Sequence, residues 1–190
     1  MDAGHTEAVQ VVYDPKKVAY SDLLRLYWQS HDPTQYMAQG NDVGTQYRAG
    51  AYPVNDTQHK LAEASLKAYD EALKKNGKTD GISSEIKDNV KFYYAEVRFT
   101  IQWAFWELLL TRAYLLTQDY HQQYLAKPGA RPYCSAQPTG VPLPPFDTRK
   151  PEGVSDEEAP KLPDAYWAKH APRPGCTINF PNGQVQEGDW

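Results

Sequence analysis

Hydrophobic residues recur at helical spacing in the middle of the chain. The residues that share one stripe of this segment are Ala62, Leu66, Tyr69 and Leu73. Apolar positions three and four residues apart form one face of an α-helix. Asn55 or Asp56 can cap its start, and Asn76-Gly77 is a typical stop. The pattern therefore predicts a long amphipathic helix.

Shorter patterns lie in front of this helix. In residues 8–13, larger apolar side chains recur at every second position, which is typical of a half-buried strand. Ser21 is a plausible N-cap for a helix that runs through Trp28 and ends before Pro33. We therefore expect a strand and then a helix in the first 33 residues.

Two further strands are predicted on either side of the long helix. One lies near residues 47–52, after a loop over 40–44 that contains two glycines, and the other covers residues 82–90. An alternation of strands and helices is typical of an α/β or α+β domain with two layers.

Residues 97–118 form a mostly apolar segment that contains three charges. Arg98 and Glu107 would lie on opposite sides of a helix, which argues against a membrane span. Valine codons begin with GT and one glutamine codon is CAG, so Val97 and Gln118 match the two ends of an intron. A retained intron and a natural helical insertion both remain open.

The C-terminal part of the chain is rich in proline. Ten of the 15 prolines fall in residues 135–190, and proline interrupts both helices and inner strands. We therefore expect a domain over residues 1–134 and an irregular tail over residues 135–190.

Charge and composition exclude several classes of function. A net charge of -4 and a pI near 5.7 give no general attraction to nucleic acid or to an anionic membrane. The five histidines stand singly and the two cysteines lack CxxC spacing, so no metal site is predicted. No secretory signal follows Met1. A cytoplasmic location and an organelle such as a plastid both stay open.

Four segments carry a resemblance to one protein family. They are Gly4-His5-Thr6-Glu7 through Tyr13-Asp14-Pro15, His31 to Gln35, Gln39 to Arg48, and the pair formed by Phe92 to Glu96 and Asp119 to Lys127. In this order the segments resemble the A-type peptide-methionine sulfoxide reductases, in which the last pair is continuous. The resemblance covers roughly residues 4–134 apart from the apolar insert.

The resemblance implies a partial ferredoxin-like plait, with helices packed on a mixed sheet. It begins in the middle of the family's domain, so the N-terminal strand and helix are expected to precede Gly4. That part carries the family's G-C-F-W motif and its nucleophilic cysteine. We therefore expect the 190-residue chain to lack the nucleophile and to be inactive as written.

In this family a cysteine thiolate attacks the sulfur of methionine sulfoxide, and a second cysteine resolves the sulfenic acid. The resemblance implies that Tyr47 donates to the sulfoxide oxygen and that Asp42 lines the pocket. It also makes Cys134 the resolving thiol and Cys176 a candidate recycling thiol. Without the motifs, these residues are an ordinary strand aromatic, a turn residue and two free thiols.

The resemblance also implies the partners. Methionine sulfoxide, free or in proteins, is the expected substrate, and thioredoxin is the expected external reductant. No bound cofactor is expected, and we expect a monomer. Two alternatives stay open: a non-catalytic remnant that binds peptides or proteins, and a non-functional product of splicing or of the gene model.

Overall fold

The computed structural model describes residues 5–88, 90–92, 136–146 and 162–170. Apart from Lys91 and Phe92, these residues belong to one compact unit. Its elements in chain order are α1 (Tyr20–Gln29), β1 (Ala38–Gln39), β2 (Asp42–Val43), a 3-10 turn (Thr45–Tyr47), β3 (Gly50–Ala51), α2 (Asp56–Lys75), β4 (Glu85–Ile86) and α3 (Asp164–His170).

The described residues form a mixed α+β unit with two small sheets. Strands β1 and β2 are antiparallel, and Gln39 lies opposite Asp42. Strands β3 and β4 are parallel, and Gly50 lies opposite Glu85. Each strand has only two residues, so the ferredoxin-like plait stays a prediction.

Helix α2 confirms the helix predicted from the apolar stripe. Its N-cap is Asn55, whose side chain accepts a 2.9 Å hydrogen bond from the backbone N–H of Gln58. Asn76 caps the C-terminus, and Gly77 follows with a φ of 81°. Such a left-handed residue ends a helix at little cost when it is glycine.

Helix α1 also forms where it was predicted, but its start differs. The N-cap is Ala19, and Ser21 is a buried residue of the first turn. The predicted cap at Ser21 is therefore wrong. The carboxylate of Asp22 accepts the backbone N–H of Ala19 at 3.2 Å. This bond satisfies an otherwise unpaired donor at the helix start without a polar side chain at the N-cap.

The core lies between α1 and α2 and is completed by residues 136–146. Its fully or largely buried members are Leu24, Trp28, Leu61, Ala62, Tyr69, Leu73, Val141 and Leu143. The Tyr69 hydroxyl donates to the Val141 carbonyl at 3.0 Å. The backbone N–H of Leu143 donates to Gln29 Oε1 at 3.1 Å. These bonds fix the later segment onto both helices.

The strand predicted over residues 8–13 is wrong. These residues have no strand structure, and the side chains of Val9 and Val12 are 88% and 91% exposed. Just before this segment, the backbone N–H of Glu7 donates a 2.9 Å hydrogen bond to the carbonyl of Gln46, which lies on the 3-10 turn. Alternation specifies a strand only where a neighbouring strand and a core face are available.

The strands predicted near 47–52 and over 82–90 exist only as β3 and β4. Tyr47 itself lies on the 3-10 turn and Tyr52 lies beyond β3. The ladder between β3 and β4 is therefore shorter than the β-rich sequence indicates.

The irregular tail is not confirmed. Residues 136–146 contain neither helix nor strand, but Asp164–His170 forms the short helix α3. Trp167 of α3 is buried, and the Arg25 guanidinium lies 4.7 Å from the centre of its ring. The backbone N–H of Leu162 also donates to the Asp22 carboxylate at 3.4 Å.

None of the described helices is both long and apolar enough to cross a membrane. The apolar segment 97–118 lies outside the described residues, and so does the proposed junction between its two ends and the flanking motif. The predicted domain limits at residues 134 and 135 also lie outside them, so the domain division stays a prediction.

Candidate functional site

The β1–β2 hairpin carries the first of the two predicted pocket residues. Asp42 begins β2 and is half-buried. The hairpin reverses at Gly40, whose φ of 61° suits a residue without a β-carbon. The backbone N–H of Gly40 donates to Gln35 Oε1 at 2.7 Å, which ties the hairpin to the preceding loop.

Tyr47 ends the 3-10 turn that follows the hairpin. Gly44 precedes this turn with a φ of 143°, and its N–H donates to the Met37 carbonyl at 2.8 Å. The backbone N–H of Tyr47 donates to the Gly44 carbonyl at 3.0 Å. Because β2 contacts the turn, Asp42 and Tyr47 belong to one short structural unit.

Tyr47 is not an ordinary strand aromatic, because it lies on a turn and is only half-buried. Within the described part of the chain, its hydroxyl makes no hydrogen bond. A phenol in this state can donate to an external oxygen atom.

The loop before the hairpin is held by the side chain of Gln39. Its Oε1 atom accepts backbone N–H groups from Asp32 and Gln137, each at 3.1 Å. Its Nε2 atom donates to the Asp32 carbonyl at 3.0 Å. One amide group therefore joins the loop, the hairpin and the segment that follows residue 135.

A charged network lies on the other side of the turn. Glu85 Oε1 accepts from Arg48 Nε at 3.0 Å and from the Tyr52 hydroxyl at 2.8 Å. Glu85 Oε2 pairs with the Lys87 ammonium group. Burial alone would raise the pKa of Glu85, but hydrogen bonds from Lys87, Tyr52 and Arg48 outweigh it and lower the pKa to about 2.

The sequence did not single out Arg48, Glu85 or Gln137. A usable signal was present for the first two, because opposite charges near two predicted strands favour a cross-strand pair. Gln137 gave no such signal, because its bonds to Gln35 and Gln39 span about a hundred residues of chain.

The two predicted thiols, Cys134 and Cys176, lie outside the described residues. Their roles therefore stay predictions. Among the side chains that the structure describes, no group of three or more His, Cys, Asp and Glu residues could hold a metal ion.

Comparison with known proteins first identifies the class of protein to which the chain is similar. A sequence profile described as "Peptide methionine sulfoxide reductase" matches residues 1–100. The matched residues include Asp42 and Tyr47.

Individual relatives then identify the family within this class of protein. "Peptide methionine sulfoxide reductase MsrA 2" from Nostoc sp. is 45% identical over 141 residues, covering 74% of this chain and 53% of the relative. "Peptide methionine sulfoxide reductase MsrA" from Azorhizobium caulinodans is 46% identical over 142 residues, covering 74% and 54%. The chain therefore belongs to the A-type peptide methionine sulfoxide reductase family, and it spans about half the length of these relatives.

One solved structure also matches the chain. "Crystal structure of Mxr1 from Saccharomyces cerevisiae in reduced form" has 31% sequence identity and a TM-score of 0.35. The match covers 42% of this chain and 41% of that structure.

Proposed function

We propose that this chain supplies part of the substrate pocket of a peptide-methionine (S)-S-oxide reductase. The observation that carries the proposal is the half-buried Tyr47 on a hydrogen-bonded turn beside the strand of Asp42. The substrate is methionine sulfoxide, free or in proteins. Thioredoxin is the external reductant, and no bound cofactor takes part.

In the proposed reaction, the Tyr47 hydroxyl donates a hydrogen bond to the sulfoxide oxygen and polarises the S–O bond. A cysteine thiolate attacks the sulfur, and the oxygen passes to the cysteine with a proton. The products are methionine and a sulfenic acid. A second thiol then attacks the sulfenic sulfur, so that a disulfide and water form. The thioredoxin dithiol reduces this disulfide.

Cys134 is the proposed resolving thiol. Gln137, three residues further along the chain, is bonded to Gln39 in the loop before the Asp42 hairpin. A tether of three residues spans at most about 10 Å, which supports a return of this arm toward the pocket. Cys176 is the proposed recycling thiol.

Neither cysteine of this chain is proposed as the thiol that attacks the sulfoxide. Cys134 and Cys176 are the only cysteines in the 190 residues, and neither lies in a G-C-F-W motif. We therefore propose that this polypeptide alone binds the sulfoxide but does not reduce it. A ferredoxin-like plait, an irregular tail and a monomeric state belong to the same proposal.

The test uses N-acetyl-methionine sulfoxide methyl ester and the 190-residue chain with labelled tyrosine rings. NMR titration should move the Tyr47 signal, and Tyr47→Phe should weaken binding by about tenfold, as expected for one lost hydrogen bond. Tyr36→Phe is the matched control, because Tyr36 is 75% exposed and lies before the hairpin.

Two results would count against the proposal. Equal binding by the native chain and the Tyr47→Phe variant would remove Tyr47 from the pocket. Turnover of the sulfoxide in an assay coupled to thioredoxin would show that one of the two cysteines attacks the substrate, and the separate nucleophile would no longer be needed.

A further inference from the structure

We propose that Glu85 is a positioning residue for Tyr47, and that it acts through Arg48. This inference rests on the proposed role of Tyr47 as the donor to the sulfoxide oxygen. Glu85 belongs to β4 and is 38 positions from Tyr47 in the sequence. Two successive contacts connect Glu85 to the turn that carries Tyr47, and a third set of contacts fixes Glu85.

The first contact is the ion pair between Glu85 and Arg48. Arg48 Nε lies 3.0 Å from Glu85 Oε1, and both side chains are only about one-fifth exposed, Arg48 at 19% and Glu85 at 21%. A partly buried pair of this kind is screened less by water than a surface pair. The low pKa of Glu85 keeps its carboxylate charged throughout the neutral range.

The second contact joins Arg48 to the turn. Arg48 Nη1 donates to the Thr45 carbonyl at 2.7 Å, and the Arg48 backbone N–H donates to the same carbonyl at 3.4 Å. Thr45 is the first residue of the turn that ends at Tyr47. The planar guanidinium therefore holds the carboxylate with Nε and the turn with Nη1. A lysine side chain lacks this fixed fork.

The third contact fixes Glu85 itself. Its backbone N–H donates to the Ala49 carbonyl at 3.1 Å, and its carboxylate accepts the Tyr52 hydroxyl at 2.8 Å. Gly50 permits this arrangement, because a β-carbon there would lie 2.7 Å from the Tyr52 hydroxyl oxygen and 3.1 Å from Glu85 Cγ. These contacts fix both the backbone and the carboxylate of Glu85.

The network also fixes the segment that runs alongside the turn. Arg48 Nη1 lies 3.4 Å from the His5 carbonyl. The Thr6 hydroxyl donates to the Gln46 carbonyl at 3.1 Å. The turn that carries Tyr47 is therefore contacted both by the Arg48 guanidinium and by Thr6 and Glu7. Loss of the Glu85 charge should release the guanidinium contacts, whereas the bonds of Thr6 and Glu7 to the Gln46 carbonyl do not involve Glu85.

Amide hydrogen exchange tests the positioning without any ligand. In Glu85→Gln and Arg48→Lys, we expect exchange at the Tyr47 and Arg48 amides to rise by about tenfold, while amides in the middle of α2 exchange as before. Asp70→Asn is the matched control. It removes a carboxylate that pairs with Lys74 on α2 and should leave the turn unchanged.

A double-mutant cycle tests the consequence for the substrate. Glu85→Gln should weaken binding of N-acetyl-methionine sulfoxide methyl ester by about fivefold, and it should add almost nothing once Tyr47→Phe is present. Such non-additivity is expected when Glu85 acts through the Tyr47 hydroxyl. A merely structural role would give additive losses.

Three results would overturn the inference. They are unchanged exchange at Tyr47 in both variants, a uniform rise that includes α2, and additive losses in the cycle. If the native chain binds no sulfoxide, the proposed role of Tyr47 fails instead. The exchange result then still decides whether Glu85 holds the turn.

Discussion

The indole nitrogen of Trp28 donates a 2.7 Å hydrogen bond to the hydroxyl of Ser65 in the centre of the core. Both side chains are fully buried. The same hydroxyl donates to the Ala62 carbonyl at 2.8 Å. One polar contact therefore fixes the position of α1 against α2.

Removal of the Ser65 hydroxyl should destabilise the fold. Ser65→Ala leaves the buried indole N–H without an acceptor, which costs about 1–3 kcal/mol. Urea unfolding measures this change. Ser30→Ala is the control, because the Ser30 hydroxyl binds the Leu26 carbonyl at an exposed position. Its expected cost is within about 0.5 kcal/mol. Equal losses in the two variants would contradict the role of the Trp28 contact.

The Glu85 carboxylate should contribute stability that depends on pH. Its pKa is lowered to about 2 from an ordinary value of 4.5, so the folded state is stabilised wherever this carboxylate is charged, by an amount that solvent screening reduces. A lowered pKa means that the contribution is present above pH 4.5 and is lost as the pH falls toward 2. The free energy of unfolding of Glu85→Gln should therefore approach that of the native chain in acid. A constant difference from pH 7 to pH 3 would refute this.

The pKa of His59 should be raised from its ordinary value of 6.5. A 2.7 Å hydrogen bond to Asp88 raises its pKa, and Glu63 adds to the effect from 3.3 Å. Because the pKa is raised, the contribution to stability is complete below pH 6.5 and is lost as the pH rises through the folded-state value.

NMR titration of the imidazole ring measures this shift. Asp88→Asn should return the pKa of His59 most of the way toward its ordinary value, and Glu63→Gln should have a smaller effect. A native titration curve in Asp88→Asn would show that the Asp88 contact does not form in solution.

The exposed valines near the N-terminus should make the chain prone to aggregation. Val9 and Val12 project into solvent from a segment without secondary structure, and Val11 is 58% exposed. Unpaired extended segments rich in β-branched residues favour pairing with other chains. Val11→Lys should therefore slow the rise of light scattering on incubation at about 37 °C.

The control for this prediction is Val54→Lys. Val54 is 84% exposed, but it lies beside the N-cap of α2 and outside any extended β-rich run. A similar delay in both variants would attribute the effect to added charge alone.

Local signals predicted α2 almost completely. The cap at Asn55, the apolar stripe and the stop at Gly77 each depend on residues close to them in the sequence. The bounds of α2 therefore do not depend on tertiary contacts. For α1, the apolar pattern was sufficient for its position but not for its cap. The Asp22 side chain satisfies the start from the third helical position, and Ser21 is buried within the first turn.

Local sequence signals could not predict the strands or the network around Glu85. Residues 8–13 have a strand-like pattern but no neighbouring ladder, and β3 pairs with β4 across the whole of α2. Arg48 meets Glu85 only because this distant pairing places them together. The motif around Tyr47 and Asp42 predicted a pocket role for these two residues, but it could not reveal which side chains hold the turn in place.

The parallel pairing of β3 with β4 has a consequence for the order of folding. Parallel strands need a long connection, and here α2 supplies it. Contact between Gly50 and Glu85 closes a large loop, and that entropic cost is recovered only after α2 has docked on α1. We therefore expect the two helices to associate first and the arginine–glutamate pair to assemble last. The tyrosine-bearing turn would reach its final geometry only at the end of refolding.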